Sequence, residues 1–393
     1  MLTEAQRAIV RATVPLLETG GEALTTHFYR IMLAEHPEVR PLFNSAHQAS
    51  GAQPRALANG VLMYAKHIDR LEALGDLAAQ IVNKHVALQV LPAHYPIVGA
   101  CLLRAIREVL GAEVATDEVI AAWAAAYQQL ADLLIGAEAQ RYDALAAAPG
   151  GWRGARAFTV ADKVKESEEI TSFHLVPADG GAVVGFMPGQ YIGLRLWVDG
   201  EEIRRNYSLS AAPNGRSYRI SVKREPGGKA SNFLHDTVHA GDCIELFPPA
   251  GHFTLAEGDR PVVLISGGVG ITPTLAMLEA ALAGTRPVHF IHCARNHAVH
   301  AFRSAVDALA ARHPQLRRFY CYDEPAAADV PHAVGRLDEG RLAGWLPAAP
   351  ADVDAYFLGP RPFMQQVRRT LRALGVPDTQ VRYEFFGPAS ALE

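Results

Sequence analysis

The chain has 393 residues, of which 49% are hydrophobic and 20% charged, and its formal net charge is −4. That length exceeds one core of ordinary size, so two or three domains are expected, and the composition is that of a folded soluble protein. The absence of a basic surplus excludes nucleic acid as an expected partner.

The start, Met1-Leu2-Thr3-Glu4-Ala5-Gln6-Arg7, has no basic segment leading into an apolar stretch. No apolar run approaches the roughly 18 residues of a membrane span, so the expectation is a cytoplasmic protein without one. Cys101, Cys243, Cys293 and Cys321 lie far apart with no Cys-x-x-Cys pair. That spacing argues against iron–sulfur clusters, structural zinc and a disulfide framework, and each cysteine reads as a small buried hydrophobe.

From residue 1 to about 147, apolar residues recur at helical spacing in 22–33, 52–68, 71–88, 95–110 and 117–142. Thr116-Asp117-Glu118 and the Pro96 position read as helix starts, and no strand-like alternation interrupts this all-helical stretch. His85, on the helix running to Leu88, reads by itself as an ordinary core or surface histidine. Its neighbours change that. His36-Pro37-Glu38 with Leu42-Phe43-Asn44, then Asn83-Lys84-His85, then Tyr95-Pro96-Ile97-Val98-Gly99, resemble the globin domain of the flavohaemoglobins. The resemblance implies a haem b with His85 as axial iron ligand and Phe43 packed on the porphyrin. It places Tyr95 and Glu138 behind the histidine, where a carboxylate on the far ring N–H gives the imidazole imidazolate character. On the other side it places Tyr29, Gln53 and Leu57. Tyr29 is then a donor to dioxygen, in a charge-assisted bond worth roughly 1.5–3 kcal/mol; Gln53 adds a second donor, and Leu57 keeps the pocket narrow.

Ala146-Ala147-Ala148-Pro149-Gly150-Gly151-Trp152 ends the last helix, and alternation begins just after it. Segments 158–164, 171–176, 191–196, 206–209, 218–222 and 243–247 read as short strands of a small antiparallel barrel. The barrel carries Pro188-Gly189-Gln190-Tyr191, then Arg205-Asn206-Tyr207-Ser208, then Gly227-Gly228-Lys229-Ala230-Ser231. Arginine, tyrosine and serine are types suited to a flavin's phosphate, ring face and ring nitrogen. In order and spacing the three motifs resemble the FAD domain of the ferredoxin-reductase superfamily. That resemblance assigns Arg205 to the pyrophosphate, Tyr207 and Ser208 to the flavin ring with Tyr191 and Asn206 beside them, and Gly228 to Ser231 to a phosphate loop at a helix start.

From Pro261 the period changes again. The run 262–265 reads as a buried parallel strand and Ser266-Gly267-Gly268-Val269-Gly270 as a loop, with Ile271, an N-cap at Thr272 and a first helical residue at Pro273. Strands at 288–292, 319–322 and 355–358 alternate with helices from Val299 and Phe363, giving a doubly wound α/β sheet for NADH or NADPH. The resemblance extends to Tyr356-Phe357-Leu358-Gly359-Pro360, where relatives have cysteine at the position of Leu358, and to Tyr383-Glu384-Phe385-Phe386-Gly387-Pro388. It implies that Phe386 covers the flavin and that Glu384 pairs with Lys84.

The expected organisation is a globin domain over 1–147, an FAD-binding barrel over 151–257 and an NAD(P)H-binding domain over 258–393. The implied activity is nitric oxide dioxygenase, acting on O2 and NO with NAD(P)H as electron donor, in a monomer. An oxygen-binding or sensing globin kept ferrous by its reductase, and a lipid hydroperoxide or quinone reductase, remain alternatives. The choice between NADH and NADPH, and a lipid in the distal pocket, stay open at this stage.

Overall fold

The structure, a computed structural model, describes residues 2–43, 48, 50–387 and 392. Asn44 and Pro388 of the motifs above lie outside them. The chain divides into two compact units: one holds the residues up to Ala147 with Glu202–Arg205 and Gly387, and the other holds the remainder.

The first unit is helical. Helix α1 (Glu4–Ala12) begins at a capping box in which the side chains of Thr3 and Gln6 each satisfy the other's backbone N–H. Helices α2 (Val14–Glu35), α3 (Ala52–Lys66), α4 (Gly75–Leu88), α5 (His94–Leu110) and α6 (Asp117–Ala147) follow. The expected helix over 71–88 is divided, with Leu71–Leu74 forming a 3-10 turn before α4. Pro96 is the third residue of α5 rather than the first. Phe28, Met32, Tyr64, Ile106 and Trp123 belong to the unit's main apolar core, and smaller clusters form around Val86 with Tyr142 and Leu145 and around Tyr95 with Ala131 and Leu134. By length and composition α6 qualifies as a membrane-crossing helix. Unbroken apolar runs do not reveal it, because Gln128, Gln129 and Asp132 interrupt the sequence. Its buried face, including Trp123, Ala126 and Leu134, packs on α1, α4 and α5.

Apart from Glu202–Arg205, which group with the first unit, the second unit holds two sheets. Strands β1 (Arg156–Lys165), β2 (Ile170–Pro177), β3 (Tyr191–Val198), β4 (Glu201–Ser208), β5 (Tyr218–Lys223) and β6 (Cys243–Leu246) form an antiparallel sheet in the order β4-β3-β6-β1-β2-β5. A bridge between Leu209 and Ile220 joins its two edges, giving the expected barrel. β4 starts five residues before the expected strand because Asp199-Gly200, both with positive φ, make a two-residue hairpin after β3. Helix α7 (Lys229–Asp236) lies between β5 and β6.

The second sheet is parallel. It comprises β7 (Val262–Gly267), β8 (Val288–Ala294), β9 (Leu316–Tyr322), β10 (Ala333–Val334), β11 (Asp354–Leu358) and β12 (Val381–Tyr383), in the order β10-β9-β8-β7-β11-β12. Helices α8 (Ile271–Ala281) and α9 (Arg303–Arg312) pack on one face, and α10 (Glu339–Trp345) and α11 (Arg361–Ala373) on the other. α9 and α11 begin at Arg303 and Arg361 rather than at Val299 and Phe363; Val299 ends a short 3-10 turn. The chain leaves β7 toward β8 on one side and returns to β11 on the other. That switch point, at the carboxyl ends of β7 and β11, is where doubly wound sheets bind ligands.

Two histidines lie buried on the α8/α9 face. His292 Nδ1 lies 2.8 Å from Ser266 Oγ, His300 Nδ1 lies 2.7 Å from the Tyr322 hydroxyl, and the two rings are 4.4 Å apart. Burial pushes His292 down to about 3, and His300 is lowered by burial too. A histidine lowered on folding takes up its proton more readily in the unfolded chain. Its stabilising effect is therefore whole above the unfolded value of about 6.5 and is lost as pH falls from there toward 3. Unfolding free energy measured across that range is expected to fall with pH, and His292→Gln is expected to flatten the slope.

Candidate functional site

The C-terminal turn of α4 carries His85, and two longer helices reach it. His85 Nδ1 is 2.7 Å from Glu138 Oε1 on α6 and 3.2 Å from the hydroxyl of Tyr95 on α5. The Tyr95 hydroxyl donates to the same Glu138 oxygen at 2.6 Å. A carboxylate only accepts, so Nδ1 is the donor to Glu138. Among the described residues, Nε2 makes no hydrogen bond. Burial, and after it Glu138, pushes the Tyr95 hydroxyl far above its ordinary range, so it stays a donor. Glu138 is 2% exposed, and its second oxygen has no partner. An orphaned buried acceptor costs roughly 1–3 kcal/mol, a cost expected where a side chain serves something other than stability. An imidazole fixed through Nδ1, whose Nε2 makes no hydrogen bond among the described residues, has the orientation an axial haem ligand requires.

Tyr127, which the sequence reading does not name, and Gly99, which it quotes only as the end of the Tyr95–Gly99 motif, hold this cluster. Tyr127 donates to the Tyr95 carbonyl at 2.6 Å, and a Cβ at Gly99 would lie 2.5 Å from the Tyr127 ring. Gly99, four residues after Tyr95 on the same helix, is the visible signal: only glycine lets the ring in. Within the same unit, the Arg204 guanidinium donates to the Leu88 carbonyl at 2.6 Å, placing a cation at the C-terminus of α4. Lys84 donates from Nζ to the Gly387 carbonyl at 3.0 Å.

On α2, Tyr29 is buried, with its ring 4.8 Å from Phe28 and 5.5 Å from Phe43. Burial raises its hydroxyl well above the ordinary range, opposed by a hydrogen bond with Gln53. Gln53 Oε1 accepts from Gln48 Nε2 at 2.9 Å. Leu57 is half-buried in the same core.

In the barrel, Arg205, Asn206, Tyr207 and Ser208 are consecutive on β4. Ser208 is buried, Arg205 and Tyr207 are half-buried, and Asn206 is exposed. Arg205 Nη1 donates to the Arg204 carbonyl at 2.7 Å. The Pro188–Tyr191 motif holds the end of this strand, since Leu209 N–H donates to the Gln190 carbonyl at 2.9 Å. Gly189 has φ +104, and a Cβ there would lie 2.1 Å from the Phe253 carbonyl oxygen, so this turn accepts only glycine. Tyr191 is buried; burial pushes its hydroxyl up, and the Glu384 carboxylate adds to that. Gly228 is the N-cap of α7, and Ser231 Oγ accepts from Glu225 N–H at 3.1 Å, closing the loop over the helix start. Phe386 is exposed.

The nucleotide loop differs from the sequence expectation at one point. α8 starts at Ile271 with Gly270 as N-cap, and Thr272 Oγ1 donates to the Val269 carbonyl at 3.0 Å instead of capping. No side chain caps this helix; the Ile271 N–H turns back to the Gly268 and Val269 carbonyls, and the end of the helix faces the carboxyl edge of the sheet, where a helix N-terminus suits an anion. Gly270 explains the earlier start: a Cβ there would lie 2.2 Å from the Leu358 carbonyl oxygen. Gly267 and Gly359 likewise pack against Phe363. The two glycine-bearing turns thus touch at the switch point.

Family models match the chain in the same three places: the globin family over residues 26–134, the oxidoreductase FAD-binding domain over 157–255 and the oxidoreductase NAD-binding domain over 264–369. A flavohemoprotein of Burkholderia sp. (strain TH2) is 71% identical over 394 residues, covering 100% of both chains. The chain belongs to the flavohemoproteins. Another member, from Pseudomonas aeruginosa, is 67% identical over 393 residues, again covering 100% of both. Among solved structures, a flavohemoglobin from Malassezia yamatoensis with bound FAD and heme matches this flavohemoprotein with a TM-score of 0.87 at 26% identity, covering 98% of this chain and 100% of that one. The flavohem-like FAD/NAD-binding domain of a nitric oxide dioxygenase from Vibrio cholerae matches with a TM-score of 0.56 at 41% identity, covering 60% of this chain and 100% of that one.

Proposed function

We propose that this flavohemoprotein is a cytoplasmic, monomeric nitric oxide dioxygenase, with its globin domain over 1–147, its FAD domain over 151–257 and its NAD(P)H domain over 258–393. When bound, haem supplies the iron at which nitric oxide and dioxygen combine to nitrate, and FAD supplies the change from hydride to single electrons. The observation that carries the reading is the Tyr95–Glu138–His85 cluster. A histidine that only stores oxygen has no use for a buried carboxylate, whereas one that must push electron density toward its ligand does. His85 would hold the iron through Nε2, Phe43 would pack on the porphyrin, and Leu57 would keep the distal pocket narrow.

Tyr29 presents its hydroxyl proton to the distal ligand, and Gln53 holds that hydroxyl in place. Arg205 and the α7 start at Gly228 and Ser231 hold phosphates. Tyr207 and Ser208, with Tyr191 and Asn206 beside them, orient the flavin ring, and Phe386 covers it. The turn from Gly267 to Thr272 receives the dinucleotide. Lys84, Glu384 and Gly387 are assigned to the passage between flavin and haem.

Nitric oxide plus dioxygen requires one electron to become nitrate, and a hydride carries two. Two nitrate ions should therefore form for each NADH oxidised when both gases are supplied. NADH consumption without nitrate would overturn the assignment. Tyr29→Phe is expected to speed dioxygen loss from the reduced protein roughly ten- to a hundredfold, the equivalent of one charge-assisted hydrogen bond. Flash photolysis measures it, and an unchanged rate would return Tyr29 to a packing role.

A further inference from the structure

The parallel sheet puts two of the four cysteines side by side, which the sequence spacing conceals. Cys293 on β8 is the register partner of Cys321 on β9, and Gly267 on β7 is the register partner of Cys293 on the other side. One row across three strands therefore reads Gly267, Cys293, Cys321, at the carboxyl ends of the strands. Register partners on parallel strands project to the same face and lie about 4.8 Å apart, within the Cα separation a disulfide spans. Cys293 is half-buried and Cys321 is buried.

We propose that Cys293 and Cys321 form a dithiol modification site that a small peroxide closes to a disulfide, weakening the binding of the nicotinamide dinucleotide. Hydrogen peroxide oxidises one thiol to a sulfenic acid and leaves as water. The second thiol attacks that sulfur, forms the S–S bond and releases a second water, so two thiols lose two electrons and two protons to the peroxide. A water-sized oxidant suits a site whose outer thiol is only partly exposed.

The chemistry around the pair is mixed. A hydrogen bond from Cys293, with the Arg341 guanidinium adding to it against burial, lowers the Cys321 thiol from its ordinary range. Cys321 Sγ also sits 2.8 Å from the Gly335 carbonyl, a contact that favours the protonated thiol. Proximity rather than acidity thus makes the pair reactive. Neither Cys101 nor Cys243 has a cysteine as register partner: Cys243 faces Thr159, and Cys101 lies within α5.

The effect on the dinucleotide rests on the reading of this sheet as the NAD(P)H domain. The strand ends carrying the thiols continue into 294–295 and 323–324, which are tied by Asp323 N–H to the Ala294 carbonyl at 3.1 Å and Glu324 N–H to the Arg295 carbonyl at 2.8 Å. These segments rim the carboxyl edge of the sheet, one strand over from the Gly267 turn. Bridging the thiols fixes that rim.

The test uses the full-length protein with haem and FAD. After treatment with hydrogen peroxide and blocking of free thiols, non-reducing digestion and mass spectrometry are expected to find the peptides containing Cys293 and Cys321 joined. NADH-driven reduction of ferricyanide, which reads the flavin without the haem, is expected to show a severalfold higher KM for NADH, restored by dithiothreitol. The Cys293→Ser/Cys321→Ser double variant, which carries the same haem and flavin, should show neither change. Both cysteines recovered as separate blocked thiols would overturn the modification site. A joined pair with unchanged KM would overturn its effect on the dinucleotide. Absence of NADH-driven reduction in untreated protein would instead count against the domain reading, and the peptide result would still decide the disulfide.

Discussion

His85→Ala is expected to yield a protein without the haem absorption band but with its full complement of FAD. His85 Nε2 is a bare imidazole nitrogen whose ring is fixed by Glu138 at 2.7 Å. One such nitrogen suffices, because an axial bond to haem iron needs no cluster of side-chain ligands around it. The substitution removes that nitrogen and also strips Glu138 of one of its two donors, leaving only the Tyr95 hydroxyl at 2.6 Å. The flavin strand and α7 lie in other parts of the chain and keep their own hydrogen bonds. Absorption spectra with extracted cofactor stoichiometry read both groups at once. Added imidazole should restore part of the haem band, because it can occupy the space of the lost ring, whereas a variant that had merely unfolded would not respond. A normal Soret band in His85→Ala without added imidazole would remove His85 from the iron.

The fold classes were legible because helical and strand periods change sharply along the chain. The three segments of apolar spacing became a helical unit, a barrel and a parallel sheet. What was not legible depended on partners remote in sequence. The capping box at Thr3 and Gln6 is visible but its helix is short, with only Val10 buried. β4 reads too short because Glu201, Glu202, Arg204 and Arg205 look like a surface run, although Asp199-Gly200 signals the hairpin. β10 and β12 have two and three residues and exist only through their neighbours β9 and β11. Thr272-Pro273 suggests a helix start that tertiary packing overrides, because Gly270 lies against Leu358. At the haem side, His85, Tyr95 and Glu138 are marked by resemblance; that one carboxylate oxygen would serve both partners needed coordinates.

The same Gly270 makes the second large effect. Gly270→Ala is expected to raise the KM for NADH roughly ten- to a hundredfold while leaving haem and FAD bound. Gly270 has φ −59, which alanine adopts without strain, so the backbone itself does not object. The obstacle is a backbone oxygen: the new methyl would lie 2.2 Å from the Leu358 carbonyl oxygen and 2.7 Å from its carbon. Neither atom is the end of a flexible side chain, so relief requires β7's turn and the end of β11 to separate. Overpacking of this kind costs about 1–3 kcal/mol, and here it falls on the two turns that meet at the switch point. The first turn of α8 then moves away from the position where its N–H groups meet a phosphate. Gly136→Ala, on α6, is the control, because nothing lies within 4 Å of a Cβ there; it should stabilise the helix by roughly 0.5–1 kcal/mol and leave NADH kinetics alone. Stopped-flow mixing with NADH without oxygen separates the steps: flavin reduction slows at low NADH in Gly270→Ala, while haem reduction by dithionite proceeds as in the parent. If flavin reduction kept its NADH dependence in that variant, the turn at Gly270 would not be where the dinucleotide binds.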